Sequence, residues 1–283
     1  MKKPKIPFLF GKLGVSYTIS AVIMTVTAIT LTLVASSYAY QILEQQRGAT
    51  EFDVAMKSIL AFDDALENVA WKPQASRSAR FTVDYGQLEL IPNDALRGMH
   101  LIVNVTGYPN ASYSLSRDFF TGYIRYGTKT KYANFGEGYQ SYFLGNNRTI
   151  SNGAGSYGRA SIEQGSGWVY MTLTYGVRVM KASTINVTDG DYQVRVNYVD
   201  IWIIKIDIAK WSTYIGDFDL KAKCLNVTTI PDCGPEGNGY NLDGDKQCNI
   251  TVQLGEDKSY TPIQLDGDKV VFNFVIATVQ VGV

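Results

Sequence analysis

Histidine is almost absent from this chain, with His100 the only one in 283 residues. A Ser/His/Asp or Cys/His catalytic arrangement therefore has one residue to be built around and no second. His100 sits on the outward phase of Met99-His100-Leu101-Ile102-Val103, where an ordinary surface histidine is expected. Cysteine is scarce as well. Cys224, Cys233 and Cys248 lie in one segment without CxxC spacing, and a zinc site there would lack a fourth ligand. Charged residues make up only 18% and the formal net charge is zero, so no nucleic-acid partner is expected. Charge is also missing locally, since no Asp, Glu, Lys or Arg occurs from Val15 to Leu43.

Two motifs invite a cofactor or metal reading. Gly153-Ala154-Gly155-Ser156-Tyr157-Gly158 has dinucleotide-binding spacing, but no βαβ pattern surrounds it, and a glycine-rich loop is the better reading. Asp243-Gly244-Asp245 and Asp266-Gly267-Asp268 cluster carboxylates without the twelve-residue EF-hand pattern, and type I′ hairpin turns account for both. No cofactor, no metal and no catalytic residue is assigned, and the chain is not read as an enzyme.

What is present begins with a basic leader. Residues 1–14 carry Lys2, Lys3, Lys5 and Lys12 and end at Gly14. They are too short and too basic to hold a secretory signal's apolar core, which here follows them. The uncharged stretch is long enough to cross a bilayer as a helix over about 15–43. Lysines before it favour a cytoplasmic amino terminus and an external carboxyl-terminal domain. The helical pattern continues as the stripe Phe52, Ala55, Met56, Ile59, Phe62, Leu66 and Val69. Asp53, Lys57, Asp63, Asp64 and Glu67 lie off the stripe and read as a solvated face. Gly48 weakens the helix and is a candidate bend, and Pro73 ends the pattern.

Within the apolar run, Thr18, Ala21, Thr25, Ala28, Thr32, Ala35 and Ala39 alternate by three and four. They form one narrow stripe of small side chains, with Ile19, Val22, Ile23, Val26, Ile29 and Leu33 on another side. In lipid such a stripe lets neighbouring helices approach closely, and Thr can hydrogen-bond across the contact.

From about residue 77 the period becomes two. Arg80–Tyr85 alternates, Gly86-Gln87 turns, and Leu88–Ile91 returns. Further strands are expected over 99–106, 119–126, 168–175, 177–181, 192–198, 200–208, 249–254 and 269–281, with turns at Asp189-Gly190, Asp243-Gly244 and Asp266-Gly267. The four tryptophans, Trp71, Trp168, Trp202 and Trp211, are expected in the core. The fold class is α+β, a long amino-terminal helix over 15–72 followed by an all-β, sandwich-like domain over 73–283.

Six Asn-X-Ser/Thr sequons punctuate that domain, at Asn104, Asn110, Asn147, Asn186, Asn226 and Asn249. Asn104, Asn186, Asn226 and Asn249 each have apolar neighbours on both sides, which in a strand turns the Asn toward solvent. These four are the better glycan acceptors. An odd cysteine count permits one disulfide and one leftover thiol. Cys224–Cys248 flanks the Gly/Pro/Asn-rich stretch and is preferred, with the other two pairings left open.

Lys12-Leu13-Gly14-Val15-Ser16, followed by Ile19-Ser20-Ala21-Val22-Ile23, resembles the amino-terminal region of archaeal type IV pilin-like proteins. The likeness covers about residues 1–70. It implies that a membrane prepilin peptidase cuts between Gly14 and Val15. It also implies that the mature helices pack into a filament core and that a β domain faces outward, commonly with N-linked glycans. Two positions depart from the family pattern. Leu13 stands where a basic residue is usual, and Ile19 stands where bacterial pilins carry Glu. The expectation is a self-assembling subunit of a cell-surface filament, inserted in the cytoplasmic membrane before assembly. Its rival is a singly anchored surface protein whose β domain binds a ligand without polymerising.

Overall fold

The computed structural model describes residues 13–106, 115–152, 157–189, 192–234, 237, 239–242 and 247–283. One helix, α1 (Leu13–Ala70), runs for 58 residues. Fifteen strands follow among the described residues. They are β1 (Ser76–Ile91), β2 (Met99–Thr106), β3 (Leu115–Thr121), β4 (Tyr123–Lys129), β5 (Gln140–Leu144), β6 (Ile150–Asn152), β7 (Gly158–Gly165) and β8 (Trp168–Tyr175), then β9 (Val177–Asp189), β10 (Tyr192–Asp207), β11 (Ser212–Asp232), β12 (Tyr240–Asn241), β13 (Gln247–Leu254), β14 (Asp257–Gln264) and β15 (Lys269–Gly282). The chain is thus a long apolar helix followed by a large β-rich domain. Residues 1–47 and 48–283 form two compact units.

Two sheets make up the β domain. The larger has eleven strands in the order β5-β7-β8-β4-β1-β11-β15-β10-β9-β6, with β12 added beside β15. The smaller has the order β14-β13-β2-β3. Pairing is antiparallel except for β10–β15 and β6–β9. A sheet this wide cannot stay flat, because strand twist accumulates. It curls into a half-barrel, so a plain two-sheet sandwich does not describe it.

Two apolar clusters occupy opposite faces of the large sheet. One face packs against the second half of α1, through Phe52, Ile59, Phe62, Leu66 and Val69 against Phe81, Tyr126, Ile204 and Val279. The other packs against the small sheet, through Val199, Ile201, Ile203 and Phe272 against Val103, Ile250 and Val252. This two-sided burial explains why Ile201-Trp202-Ile203-Ile204 is apolar without interruption. Alternate residues serve different cores.

Several expectations need correction. Gly86-Gln87 is no hairpin, because β1 continues through it with a register shift against β11 between Val83 and Leu88. The stretch 119–126 breaks at Gly122, where the chain passes from the small sheet to the large one. A side chain at Gly122 would meet the Ile91 carbonyl. Asp266-Gly267 joins β14 to β15 in a different sheet and is likewise no hairpin. Asp243-Gly244-Asp245 and residues 153–156 lie outside the described residues. Gly48 does not interrupt α1, and a Cβ there would overlap the Tyr132 ring, so close approach explains the glycine. Helix α1 stops at Ala70, before Pro73, and Gln74 takes a left-handed conformation with φ 66° while donating its N–H to the Cys224 carbonyl.

Cys224, Cys233 and Cys248 stand as free thiols in this structure. Cys224 is buried on the helix side, its thiol donating to the Ala70 carbonyl at 3.1 Å, and Cys248 is buried in the small-sheet cluster, so the large sheet stands between them. Burial raises both thiol pKa values, that of Cys248 to about 12. Of the tryptophans, Trp71 and Trp202 meet edge to face at 4.8 Å beside the core, whereas Trp211 is half exposed and lies under Arg97.

Candidate functional site: an exposed apolar helix, its buried acidic clamps and the sequon strands

Every described side chain from Tyr17 to Leu43 is exposed. This stretch contains the one helical window among the described residues that is long and apolar enough to cross a membrane. Thr18, Ala21, Thr25, Ala28, Thr32 and Ala35 all belong to that open surface. The hydroxyls of Thr25 and Thr32 donate to the carbonyls of Ala21 and Ala28, at 2.8 Å each. Their hydrogens are thus used inside the helix, and only their oxygens remain to accept from a neighbour. The backbone of Gly14 and Val15 lies in the first turn of α1, while the Val15 side chain falls outside what the structure describes.

The second half of α1 is held by carboxylates as well as by apolar packing. Glu51 is 8% exposed, and its carboxylate accepts four hydrogen bonds. The N–H groups of Asp84 and Tyr85 donate to Oε2 at 2.7 and 2.8 Å, and Gly86 N–H and the Tyr126 hydroxyl donate to Oε1 at 2.9 Å each. These amides occupy the gap where β1 loses register with β11, so the helix supplies acceptors that the neighbouring strand does not. The charge is delocalised over four donors, which suits a buried carboxylate.

Asp63 makes a second clamp, and here the expectation of a solvated acidic face fails. Asp63 is 4% exposed and accepts the Tyr175 hydroxyl at 2.8 Å. Burial raises its pKa to about 7. The Tyr175 hydrogen bond acts the other way, and the charges of Glu67 and Asp64 add to the rise. Gly158 is required beside it, because a side chain there would strike the carboxylate. Glu67 accepts the N–H groups of Tyr157 at 3.0 Å and Gly158 at 3.4 Å. Asp53, Lys57 and Asp64 are exposed, as their spacing indicates. Nothing in the sequence marks Glu51. It stands beside Phe52 at the margin of the apolar stripe, and its partners lie over thirty residues away.

The sequons occupy three settings. Asn104 and Asn249 stand on β2 and β13, the two inner strands of the small sheet. Their flanking residues Val103, Val105, Cys248 and Ile250 are fully buried, so the asparagines face away from the core. The register places Asn104 opposite Thr251 and Asn249 opposite Thr106, so each sequon sets its hydroxyl against the other's amide. Asn186 and Asn226 are exposed on β9 and β11. At Asn186 the neighbours Ile185 and Val187 are exposed too, which alternation alone does not predict. Asn147 is exposed between β5 and β6, and Asn110 lies outside the described residues. His100 stacks on Phe120 at 4.8 Å.

Geometry of this kind defines a class: a β-rich domain carried on one long helix whose first half is an uncovered apolar rod. No family model, curated protein or solved structure matches the chain.

Proposed function

We propose that the chain is a structural subunit of an extracellular, type IV pilus-like filament at the cell surface. The observation that carries this reading is the division of α1. Its second half is clamped into the β domain, and its first half presents a continuous run of exposed, uncharged side chains. Apolar surface on that scale must be covered by lipid or by other helices. A helix fastened to the domain by Glu51, Asp63 and Glu67 suits assembly, because a force on the helix is passed to the domain it carries.

In this reading the subunit is first held in the cytoplasmic membrane with its β domain outside. A prepilin peptidase then removes residues 1–14. Copies of the chain pack through Thr18, Ala21, Thr25, Ala28, Thr32 and Ala35, and the β domain faces outward with N-linked glycans on its sequons. Electron microscopy of filaments sheared from the native host, with mass spectrometry of their protein, tests it. The expected filaments contain this chain beginning at Val15. A chain that keeps Met1 and never leaves the membrane fraction would falsify the proposal.

The rival is a singly anchored surface protein with an adhesive β domain. It is favoured by one feature, a helix that meets the length and composition of a single span. An Ala28→Leu chain separates the two, since it should insert normally in both cases but stop filament formation only in the first.

A further inference from the structure

A cleft of about 180 Å³ opens between the large sheet and the Leu254–Asp257 turn of the small one. Its floor is the face of β7, β8 and β4 that points away from α1. Alternation fixes that face, because Ala160, Ile162, Met171, Leu173, Ile124 and Tyr126 are all buried in the helix-side cluster. Their strand neighbours Arg159, Ser161, Thr172, Thr174, Tyr123 and Arg125 therefore share the other side. The register sets Thr172 between Ser161 and Arg125. Met99 and Leu254 pack in the small-sheet cluster and give the cleft an apolar wall on that same side. Tyr142, Glu163 and Asp257 complete the lining.

Both arginines of the lining are already neutralised. Arg159 is buried, meets Asp257 at 2.5 Å and donates to the Tyr142 hydroxyl at 3.2 Å. Arg125 reaches one oxygen of the buried Glu89 through Nε and Nη2, at 2.7 Å each. No cation is left over to hold an anion. The one carboxylate without an ion pair, Glu163, stands on the exposed rim, where water screens it. What remains is hydrogen-bonding capacity. Among the described residues the hydroxyls of Tyr123 and Thr172, Nη1 of Arg125 and Oε2 of Glu163 have no hydrogen-bond partner. These groups mix donors and acceptors on neighbouring strands, about 5 Å apart. A hydroxyl both donates and accepts, so a ring that carries several matches the mixture, and Met99 and Leu254 meet its C–H face. The cleft is smaller than the several hundred Å³ of sites for larger ligands, which fits a single ring. We propose that this cleft binds one uncharged pyranose unit of a saccharide. That unit has two sources. Arg159 also donates to the Asn147 carbonyl at 3.4 Å, so a sequon lies beside the cleft and the chain's own glycan is one source. A saccharide from outside the molecule is the other. Neither depends on filament assembly.

The test is ligand-observed NMR titration of the full chain, made without glycans, in uncharged micelles of a sugar-free detergent. The probes are the methyl glycosides of glucose, galactose and mannose, with methyl glucuronide and ethanolamine as the anionic and cationic controls. At least one neutral glycoside should bind saturably, the glucuronide several-fold more weakly and ethanolamine not measurably. Thr172→Val and Tyr123→Phe each remove a hydroxyl that has no partner in the folded chain, so both variants should fold, as near-ultraviolet circular dichroism will show. Each should weaken binding of the glycoside roughly two- to tenfold. Chain purified from the native host separates the sources. Unchanged binding there assigns the cleft to an outside saccharide, and binding that is blocked until Asn147→Gln is introduced assigns it to the chain's own glycan. No saturable binding of any neutral glycoside, a charged control bound as tightly as the best of them, or both variants binding like the parent would each overturn the assignment.

Discussion

Replacing Asp63 with Asn should make the β domain more stable at neutral and alkaline pH and leave it little changed in acid. The carboxyl is 4% exposed, its hydrogen-bond donor is the Tyr175 hydroxyl, and Glu67 and Asp64 lie close enough to disfavour its ionisation. Its pKa is about 7 in the folded chain against an ordinary 3.8. A carboxyl with a raised folded pKa stabilises the fold fully below the unfolded value and loses that contribution as pH rises toward the folded one. At 1.36 kcal/mol per pH unit, a gap of about three units amounts to roughly 4 kcal/mol over the whole window. Between pH 5 and pH 8 the loss is about 2–3 kcal/mol. The Asp63→Asn side chain keeps an oxygen for the Tyr175 hydroxyl and carries no charge to desolvate. The assay is urea unfolding of the full chain in detergent micelles, followed by near-ultraviolet circular dichroism, for parent and variant at pH 5, 6, 7 and 8. Other titrating groups affect both proteins alike, so the difference between them isolates this one position. That difference should grow in favour of the variant by about 2–3 kcal/mol from pH 5 to pH 8. Parallel pH profiles would refute the reasoning, and so would a variant that weakens as pH rises.

Glu51→Gln should destabilise the same domain by about 2–4 kcal/mol, because an amide cannot accept from three backbone N–H groups and a phenol as a carboxylate does, and its own NH₂ faces donors. Equal urea midpoints would contradict the clamp. Gly158→Ala should cost about 1–3 kcal/mol by driving a methyl into the Asp63 carboxylate, and pairing it with Asp63→Ala should recover part of the loss. Peptide mapping under non-reducing conditions should find Cys224, Cys233 and Cys248 as three free thiols, whereas a Cys224–Cys248 link would show that the two clusters are not on opposite faces of the large sheet. Glycopeptide analysis should show that Asn104 and Asn249, whose sequons are cross-paired, lose modification together when Thr106 or Thr251 is replaced by Val. Unchanged occupancy at the partner site would dismiss that coupling.

The amino-terminal rod and the change of period after Pro73 are legible because each rests on local pattern. A long run without a charge, then Phe52, Ile59, Phe62, Leu66 and Val69 at helical spacing, need no knowledge of what surrounds them. The same holds for β2 and β13, where Val103, Val105, Cys248 and Ile250 alternate cleanly with Asn104 and Asn249. Strand β11, the longest at 21 residues, leaves no such mark in the sequence. Its inward residues over 220–224 are Leu220, Ala222 and Cys224, separated by lysines, and the remainder is too polar for periodicity to register. Strands β1 and β10 each read as two pieces, because Gly86 and Asp200 look like punctuation until neighbouring strands are in place.

The acidic clamps escape the sequence for a deeper reason. A carboxylate on a helix is ordinarily solvated, and the features that hold Glu51 and Asp63 inside are contributed from elsewhere in the chain. Tyr126 and Tyr175 lie 75 and 112 residues away, and the free amides of Asp84, Tyr85 and Gly86 exist only because β1 slips against β11. Burial of Glu51 follows from a register shift in the sheet against which the helix packs, and burial of Asp63 from a tyrosine and a glycine on distant strands of that sheet. The residues that fasten the helix to its domain are therefore set by tertiary structure, while the face its first half offers to other molecules is set by local sequence. That separation fits the filament subunit proposed above: on that reading the exposed stripe can vary to suit its neighbours without disturbing Glu51, Asp63 or the sheet that encloses them.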